Sequence, residues 1–447
     1  MFKKIEAWVF YLVILFCITF TILFGFLVRQ ELVSSKKLGW VSKSALMIAE
    51  LPVRLRQALG DDLVLPDRFP QLAGFSGSPL AMQNYFLLSR YDGDMGEGVV
   101  ELIDLSNFKV VHVWNPNMDE INEKLLDIPE FAFANRDHND SRARLHHPQI
   151  TSNGEIIFIS ATLHKIDACS KHIFSLNETT AHHSIELDGE NNIWVPTTRY
   201  NSNLPLKLIG PEPGKYSDHA ITKIDQDGNI LYSKSIAEIF LEHNMDYLLF
   251  STGNRRFKTN PIHLNDIQPV LYDSPYFKKG DVFLSLRHQS MLMLYRPKTN
   301  EVIWTGTGKF YHQHDVDILD EQRISFFNNN SKDAFNGDIV DGFNEIVMYD
   351  FESNNYSYYL HDSMNELNMI TLTEGTHEIM NNSDLVVEET NYGRISYLNS
   401  NGAVKWQYLN RATDGKVYPV SWSRLLYKEK DVAEINNFLL SKGACYD

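Results

Sequence analysis

The stretch MLMLYRPKTNEVIWTG at residues 291–306 contains an apolar run, a polar turn and a second run that carries a tryptophan. Such a pattern is typical of a β-hairpin. The same plan recurs in VVELIDLSNFKVVHVW (99–114), LHKIDACSKHIFSL (163–176), AITKIDQDGNILYSKS (220–235), NEIVMYDFESNNYSYYL (344–360) and GRISYLNSNGAVKWQY (393–408). The six copies are spaced by roughly 45–70 residues, close to the blade period of propellers. The repeat therefore predicts a propeller.

A second unit precedes five of the six hairpins and consists of a histidine, an apolar strand, a turn and another strand. The five leading histidines are His147, His183, His263, His314 and His377. Before the first hairpin, NYFLLSRY at 84–91 holds this place without a histidine. Each unit supplies two strands, so one pair of units makes a four-stranded blade. The sequence thus predicts an all-β fold, a six-bladed β-propeller at residues 83–427.

The position of the leading histidines has a consequence for function. Equivalent positions in successive blades lie around the central axis of a propeller. We therefore expect the five histidines to share one central funnel, which Arg287 should also reach. The alternative is that each histidine packs within its own blade, since partial burial is ordinary for this residue.

The N-terminus contains a different signal. Residues 7–28 are 22 consecutive residues without a charge, and as a helix they would extend about 33 Å, enough to cross a bilayer. We interpret residues 1–30 as a transmembrane anchor, residues 31–82 as a juxtamembrane segment and residues 428–447 as a C-terminal helix and tail. A cleaved signal peptide is the alternative, but the run is long and no small-residue cleavage site follows it.

Charge and cysteine content limit the classes of function. The formal net charge of −16 argues against nucleic acid as a partner, because phosphate binding needs a basic face. A local group of arginine and histidine can still bind a small anion. The three cysteines, Cys17, Cys169 and Cys445, allow at most one pair outside the apolar run, so they do not fix the redox compartment.

Several motifs within residues 99–425, together with a closing strand, resemble the bacterial arylsulfotransferase family of propeller enzymes. They are HHSIELDGENNIWV (182–195), HLNDI (263–267), SLRHQS (285–290), VIWTGTG (302–308), QHDVDIL (313–319) and SWSRLLY (421–427). The resemblance implies transfer of a sulfuryl group from an aryl sulfate to a phenol, without a nucleotide sulfate donor. In this scheme a histidine is sulfated transiently between two half-reactions.

The same resemblance implies roles for individual residues. The residues that match catalytic positions are His314 as nucleophile, Arg287 as the family's arginine, and His183 and His263 as supporting histidines. An arginine fork suits the oxygens of a sulfuryl group, and a histidine of ordinary pKa can protonate a departing phenolate.

Four further histidines are expected to contact the substrate. They are His147, His182, His312 and His377. His312 is the alternative nucleophile and His182 is the alternative to His183. His312 and His314 also have metal-ligand spacing, but no cysteine or clear carboxylate partner accompanies them. We therefore expect neither a metal nor a cofactor.

These observations favour a sulfotransferase whose partners are an aryl sulfate, a phenol and, through the N-terminal helix, the inner membrane. The family resemblance implies a propeller in the periplasm or outside the cell. The basic residues that follow the apolar run oppose this orientation, although long domains translocate largely regardless of flanking charge. Two other functions stay open: a non-catalytic propeller that binds a sulfated or phenolic ligand or scaffolds a membrane complex, and a quinoprotein-like or metal-dependent enzyme.

Overall fold

The computed structural model describes residues 6–32, 38–52, 55, 63–126, 128–131, 133–199, 203–210, 216–250, 257–335 and 337–441. The chain divides into two compact units, Met1–Leu63 and Val64–Asp447. Each unit has its own kind of structure, helical in the first and almost entirely β in the second.

The first unit contains the helices Ala7–Leu32 and Gly39–Ala49. Within the described part of the chain, Ala7–Glu31 is the one helix long and apolar enough to cross a membrane. Its apolar side chains are exposed along most of its length. A helix in the core of a soluble protein would have these side chains buried. Ser42 donates a hydrogen bond to Glu31 across the two helices, at 2.8 Å. The apolar helix thus agrees with the predicted membrane span.

The second unit is a six-bladed propeller, as predicted, and each blade contains an antiparallel sheet of four strands, to which blades 3 and 6 add one short strand each. From the innermost strand outward, blade 1 consists of Arg424–Leu426, Tyr85–Asp92, Glu97–Asp104 and Lys109–Trp114; blade 2 of His146–Ile150, Ile156–Ser160, Thr162–Ile166 and His172–Ser175; and blade 3 of Glu186–Leu187, Ile193–Arg199, Asp218–Ile224 and Ile230–Ser235.

Blades 4 to 6 continue the ring. Blade 4 consists of Leu264–Pro269, Val282–Leu286, Met291–Arg296 and Glu301–Thr307; blade 5 of His314–Ile318, Arg323–Asn328, Glu345–Asp350 and Asn355–Tyr359; and blade 6 of Thr376–Ile379, Leu385–Glu389, Arg394–Leu398 and Val404–Leu409. All six hairpins quoted from the sequence supply the two outer strands of their blades.

The two ends of the β unit close the ring together. Arg424–Leu426 pairs with Tyr85–Asp92 and so becomes the innermost strand of blade 1. The run at 84–91 was expected to lead its blade, but it is the second strand. It is buried on both faces because blade 2 packs against one face and blade 6 against the other. At the other end, Gly74–Gly77 adds a fifth strand to blade 6.

Aromatic side chains fill the spaces between neighbouring blades. The ring of Trp304, in blade 4, lies 4.8 Å from that of Tyr349 in blade 5. Trp406, in blade 6, is fully buried against Phe86 of blade 1, with 6.0 Å between the rings. These contacts make Trp304 and Trp406 part of the packing between neighbouring blades.

The connections carry short additional elements. They are the helices Met118–Asn122, Ala134–Asp137, Leu206–Ile209, Ile236–Glu242 and His361–Glu366, the strand Thr180–Ala181, and the hairpin of Ser331–Ala334 and Gly337–Val340. The helix Glu429–Leu440 follows the last blade, where a helix was expected. Cys17 is a free thiol and Cys169 is disulfide-bonded, while Cys445 lies outside the described residues.

Candidate functional site in the propeller channel

A series of hydrogen bonds from blade to blade fixes the register of the innermost strands. In each bond a backbone N–H of one blade donates to a side chain of the blade before it. The pairs are Ile185 to His147 (2.9 Å), Ile267 to Ser184 (3.2 Å), Val316 to Asp266 (2.6 Å) and His377 to Asp315 (2.5 Å). The acceptors therefore occupy equivalent positions. His146, His183 and His314 each directly precede an acceptor, so these three histidines are equivalent.

The backbone turns sharply where each innermost strand begins. Five residues there have a positive φ although they are not glycine: His147 (47°), His183 (65°), His263 (52°), Asp315 (52°) and Trp422 (56°). In blade 6 the corresponding turn is made by Gly375, with a φ of 99°. Left-handed backbone at a side-chain-bearing residue costs on the order of 1 kcal/mol and is found mainly where the surrounding structure or a function requires it.

This arrangement gathers histidines from blades 2 to 5 into one group, which we call the histidine cluster. The ring of His183 lies 5.1 Å from that of His263, 5.9 Å from that of His314 and 6.4 Å from that of His146. Trp422 closes the group, at 6.0 Å from both His183 and His314. The structure therefore brings together the three histidines matched to catalytic positions.

A chain of hydrogen bonds ties the cluster histidines to one another. His182 joins His183 through their Nδ1 atoms at 2.9 Å, and its Nε2 joins Nδ1 of His219 at 3.0 Å. His219 continues to Asn260 (3.0 Å), which contacts Nδ1 of His263 at 3.1 Å. His183 and His263 are thus positioned by a common network.

The surroundings of the histidine cluster favour the neutral form of its imidazoles. Burial lowers the pKa of His182, His183 and His263 well below the usual value, and neighbouring histidines add to the effect. Burial also lowers the pKa of His314 to about 3, with a further contribution from the Arg287 charge. The expectation of a supporting histidine with an ordinary pKa is therefore wrong. Neutral imidazoles can act as nucleophiles or accept protons.

Arg287 supplies positive charge beside this neutral group. It begins the short helix Arg287–Gln289 after the second strand of blade 4, and it is 8% exposed. Its Nε has no hydrogen-bond partner among the described residues, and its charge lowers the pKa of His263, His312 and His314. A buried guanidinium with an unused donor is well suited to hold an anion.

His312 lies on the same side of the channel. Its ring is 6.1 Å from that of His288, which in turn lies 4.5 Å from His263. Burial lowers the pKa of His312 to about 4, and its Nδ1 is buried without a partner in the described structure. His312 therefore keeps an unused polar atom close to the histidine cluster.

His147 and His377 make no ring contact with His183, His263 or His314 in the described structure, although the ring of His147 lies 5.3 Å from that of Trp422. Nε2 of His147 lies 2.7 Å from a guanidinium nitrogen of Arg424. Nδ1 of His377 donates to Asp315 at 2.8 Å, and its Nε2 lies 2.8 Å from the Ser325 hydroxyl. His147 occupies the position of the blade-to-blade acceptors, and His377 is two residues beyond the equivalent of His314, so neither shares the phase of His183.

Both residues line a separate polar cavity of about 230 Å³, which also contains Asp317, Glu378 and Arg424. In the described part of the chain, Asp315, Asp317 and His377 are the one group that brings three potential metal-ligand atoms within 4.8 Å. The histidine cluster forms no such group. Burial and the neighbouring carboxylates raise the pKa of Asp317 well above its usual value.

Sequence reasoning missed other members of the site. His146 was not among the expected site residues, although HH at 146–147 repeats the HH at 182–183. His288 and Trp422 lie within the quoted motifs SLRHQS and SWSRLLY. His219 carried no signal, because it belongs to the third strand of its blade rather than to an innermost strand.

Solved structures with a similar fold are only distantly related to this chain. A protein of unknown function from Bacteroides caccae is 12% identical, with 78% of this chain and 100% of that one covered and a TM-score of 0.46. Hydrazine synthase of Kuenenia stuttgartiensis is 10% identical (73% and 79% covered, TM-score 0.40), and virginiamycin B lyase of Staphylococcus aureus is 9% identical (58% and 68% covered, TM-score 0.32).

No curated protein matches the chain by sequence. A family model, by contrast, covers more than half of it: the arylsulfotransferase (ASST) model matches residues 147–411. The matched range contains every member of the histidine cluster except His146 and Trp422, and it includes Arg287. The chain belongs to the arylsulfotransferase (ASST) family.

Proposed function

We propose that this protein transfers a sulfuryl group from an aryl sulfate to a phenol through a covalent intermediate on His314, without a nucleotide donor. The observation that carries the proposal is the juxtaposition of a neutral, fully buried His314 with Arg287, whose guanidinium has an unused donor. Family membership supports an aryl sulfotransferase type of activity. The intermediate and the substrates belong to the proposal.

In the first half-reaction, the lone pair of the His314 imidazole attacks sulfur. The bond between sulfur and the aryl oxygen breaks, and the phenolate leaves with the electron pair. Arg287 holds the sulfuryl oxygens, whose charge is spread as in phosphoryl transfer. The positive charge of Arg287 favours binding of the anionic donor and keeps His314 from being protonated before the attack.

In the second half-reaction, a phenol oxygen attacks the sulfur of the sulfohistidine. The N–S bond breaks, the electron pair returns to His314, and the phenol proton passes to a cluster histidine. His183 and His263 are the proposed acceptors of this proton, because burial favours the neutral form of both. The ring of His183 lies beside that of His314, and the ring of His263 lies beside that of His183. Splitting the transfer into two displacements lowers each barrier, as in other covalent mechanisms.

Substrate contacts are proposed for His182 and His312, which adjoin the cluster. No substrate contact is proposed for His147 or His377. We further propose that the apolar N-terminal helix anchors the chain in the inner membrane and that the propeller lies outside it.

Turnover of a chromogenic aryl sulfate, with and without a phenol acceptor, tests the proposed function. The acceptor should accelerate release of the chromogenic phenol, and His314→Ala should abolish release. His361→Ala is the matched control, because His361 lies outside the cluster and is half-exposed. Its activity should equal that of the wild type. Binding of aryl sulfates without any turnover, over a broad donor panel, would instead identify a non-catalytic binding module.

A further inference from the structure

Asn329 is the direct neighbour of His314. It follows the second strand of blade 5, is fully buried, and places its Oδ1 2.6 Å from Nδ1 of His314. The contact is side chain to side chain, so it acts on the ring that the proposed reaction uses.

The surroundings fix the orientation of the Asn329 amide. Its Nδ2 lies 3.1 Å from the carbonyl oxygen of Thr371 and 2.7 Å from that of Glu374. Carbonyl oxygens only accept hydrogen bonds, so the NH₂ group must face them and Oδ1 must face His314. Asn344 stabilises this frame, because its Nδ2 donates to the Asn329 carbonyl at 2.6 Å.

The orientation of the amide determines the tautomer of His314. An amide oxygen cannot donate, so Nδ1 of His314 must carry the proton. On the other side of the ring, the backbone N–H of Glu374 lies 3.3 Å from Nε2. A backbone N–H cannot accept, so Nε2 must carry the lone pair. Two independent neighbours thus require the same tautomer.

We propose that Asn329 is a positioning residue that holds His314 as the Nδ1–H tautomer, so that sulfuryl transfer takes place at Nε2. The sulfuryl step rests on the proposed function, whereas the tautomer does not. As the Nε2–S bond forms and the S–O bond of the donor breaks, positive charge develops on the imidazole. The Nδ1 proton stays on the ring, and its hydrogen bond to Asn329 becomes charge-assisted and stronger.

The choice of an amide over a carboxylate follows from the same geometry. A carboxylate at 2.6 Å would favour the protonated imidazole and raise its pKa. The neutral amide orients the ring, and burial outweighs the smaller upward effect of its hydrogen bond, so the pKa of His314 stays low, at about 3. The nucleophile is therefore fixed in direction without being protonated.

Two variants separate orientation from charge. Asn329→Leu has nearly the same shape but no acceptor, and kcat should fall by about 10²- to 10⁴-fold with little change in KM, as when a histidine loses the partner that sets its tautomer. Asn329→Asp keeps an acceptor but adds a charge, so the pH profile of kcat should gain an acid limb that the wild type lacks. A kcat near the wild-type value in Asn329→Leu would overturn the proposal. So would a pH profile of kcat in Asn329→Asp that is the same as that of the wild type.

¹⁵N NMR of histidine-labelled protein reads the tautomer without any turnover. The His314 signals are identified by their loss in His314→Gln. In the wild type, Nδ1 should be protonated and Nε2 unprotonated between pH 5 and 8, and the Leu variant should lose this preference. The reverse tautomer in the wild type would overturn the inference.

The position of the adduct distinguishes a failure of the inference from a failure of the proposed function. Peptides from the sulfated protein should carry the group on Nε2 of His314. A group on Nδ1 would overturn the inference and leave the transfer function standing. If NMR shows the expected tautomer but no adduct forms, the proposed transfer is overturned. The role of Asn329 in orienting the His314 ring would still hold.

Discussion

The rings of His183 and His314 lie 5.9 Å apart, although His183 precedes the innermost strand of blade 3 and His314 begins that of blade 5. Blade 4 completes the contact with His263, at 5.1 Å from His183. The site thus depends on the stacking of three successive blades around the axis. Arg287 follows the second strand of blade 4 and brings positive charge to the histidine cluster.

Arg287→Lys should reduce kcat/KM for an aryl sulfate by about 10- to 100-fold, because an ammonium cannot reproduce the planar fork that holds two sulfuryl oxygens. The thermal stability should change little, since Lys retains the charge. Steady-state kinetics measure the first quantity, and thermal unfolding serves as the control. A Lys variant with wild-type kinetics would show that Arg287 does not bind the sulfuryl group.

Replacement of His314 should change how stability depends on pH. Burial lowers the pKa of His314 to about 3, whereas the unfolded chain takes up the proton below about pH 6.5. The folded state therefore loses stability relative to the unfolded state as the pH falls from 7 to 5. For a fully buried histidine this loss is about 2 kcal/mol.

Denaturant unfolding of the wild type and of His314→Gln at pH 7 and pH 5 measures this contribution. The stability of the wild type relative to the variant should decrease by about 2 kcal/mol on going to pH 5. Other buried histidines titrate in both proteins, so the comparison isolates His314. An unchanged difference between the two proteins would mean that the pKa of His314 is the same in the folded and unfolded states, and it would contradict a pKa lowered by burial.

His377→Ala should destabilise the protein without a specific effect on transfer. The side chain of His377 is fully buried and donates to Asp315 at 2.8 Å. Its loss removes one of the two hydrogen bonds from His377 to this carboxylate and leaves only the backbone one, at a cost of about 2 kcal/mol. The free energy of unfolding measures this cost. At a temperature where the variant is folded, its turnover should stay close to that of the wild type.

His183→Ala is the comparison for that experiment and should show the opposite pattern. It removes a ring of the histidine cluster, so turnover should fall steeply. A His377→Ala variant that is stable but inactive would return His377 to the substrate site.

The sequence was sufficient for the number of blades, because each blade contributes one hairpin with a clear alternation and turn. It was insufficient for the closure of blade 1. The strand Arg424–Leu426 is only three residues long, and a pairing between the two ends of the β unit leaves no local pattern. The closing strand was indicated only by the resemblance of SWSRLLY (421–427) to the family, and the folded ring shows which blade it completes.

The candidate site was predictable in part. His183, His263 and His314 come together because each lies at or just before the start of an innermost strand. The register is shifted by irregularities, however, between His146 and Gln149, between Leu264 and Asp266, and between His314 and Val316. A bulge moves the following side chains to the other face, so a shared spacing in the sequence could not separate His146 from His147.

The proposed orientation of the chain can be tested in intact spheroplasts. If the propeller lies outside the inner membrane, added protease should degrade it while a cytoplasmic marker protein survives. Complete protection of the propeller, with degradation only after lysis, would place it in the cytoplasm. Removal of the apolar helix Ala7–Leu32 should release the propeller from the membrane fraction.

The most direct test of the account is mass spectrometry of the protein quenched after incubation with an aryl sulfate and no acceptor. The proposed mechanism predicts an added mass of one SO₃ group on the peptide that contains His314, and its disappearance when a phenol is supplied. His314→Ala should carry no such group. A stable SO₃ group on His312 or on any other residue, at a rate that matches turnover, would contradict the assignment of His314 as the nucleophile.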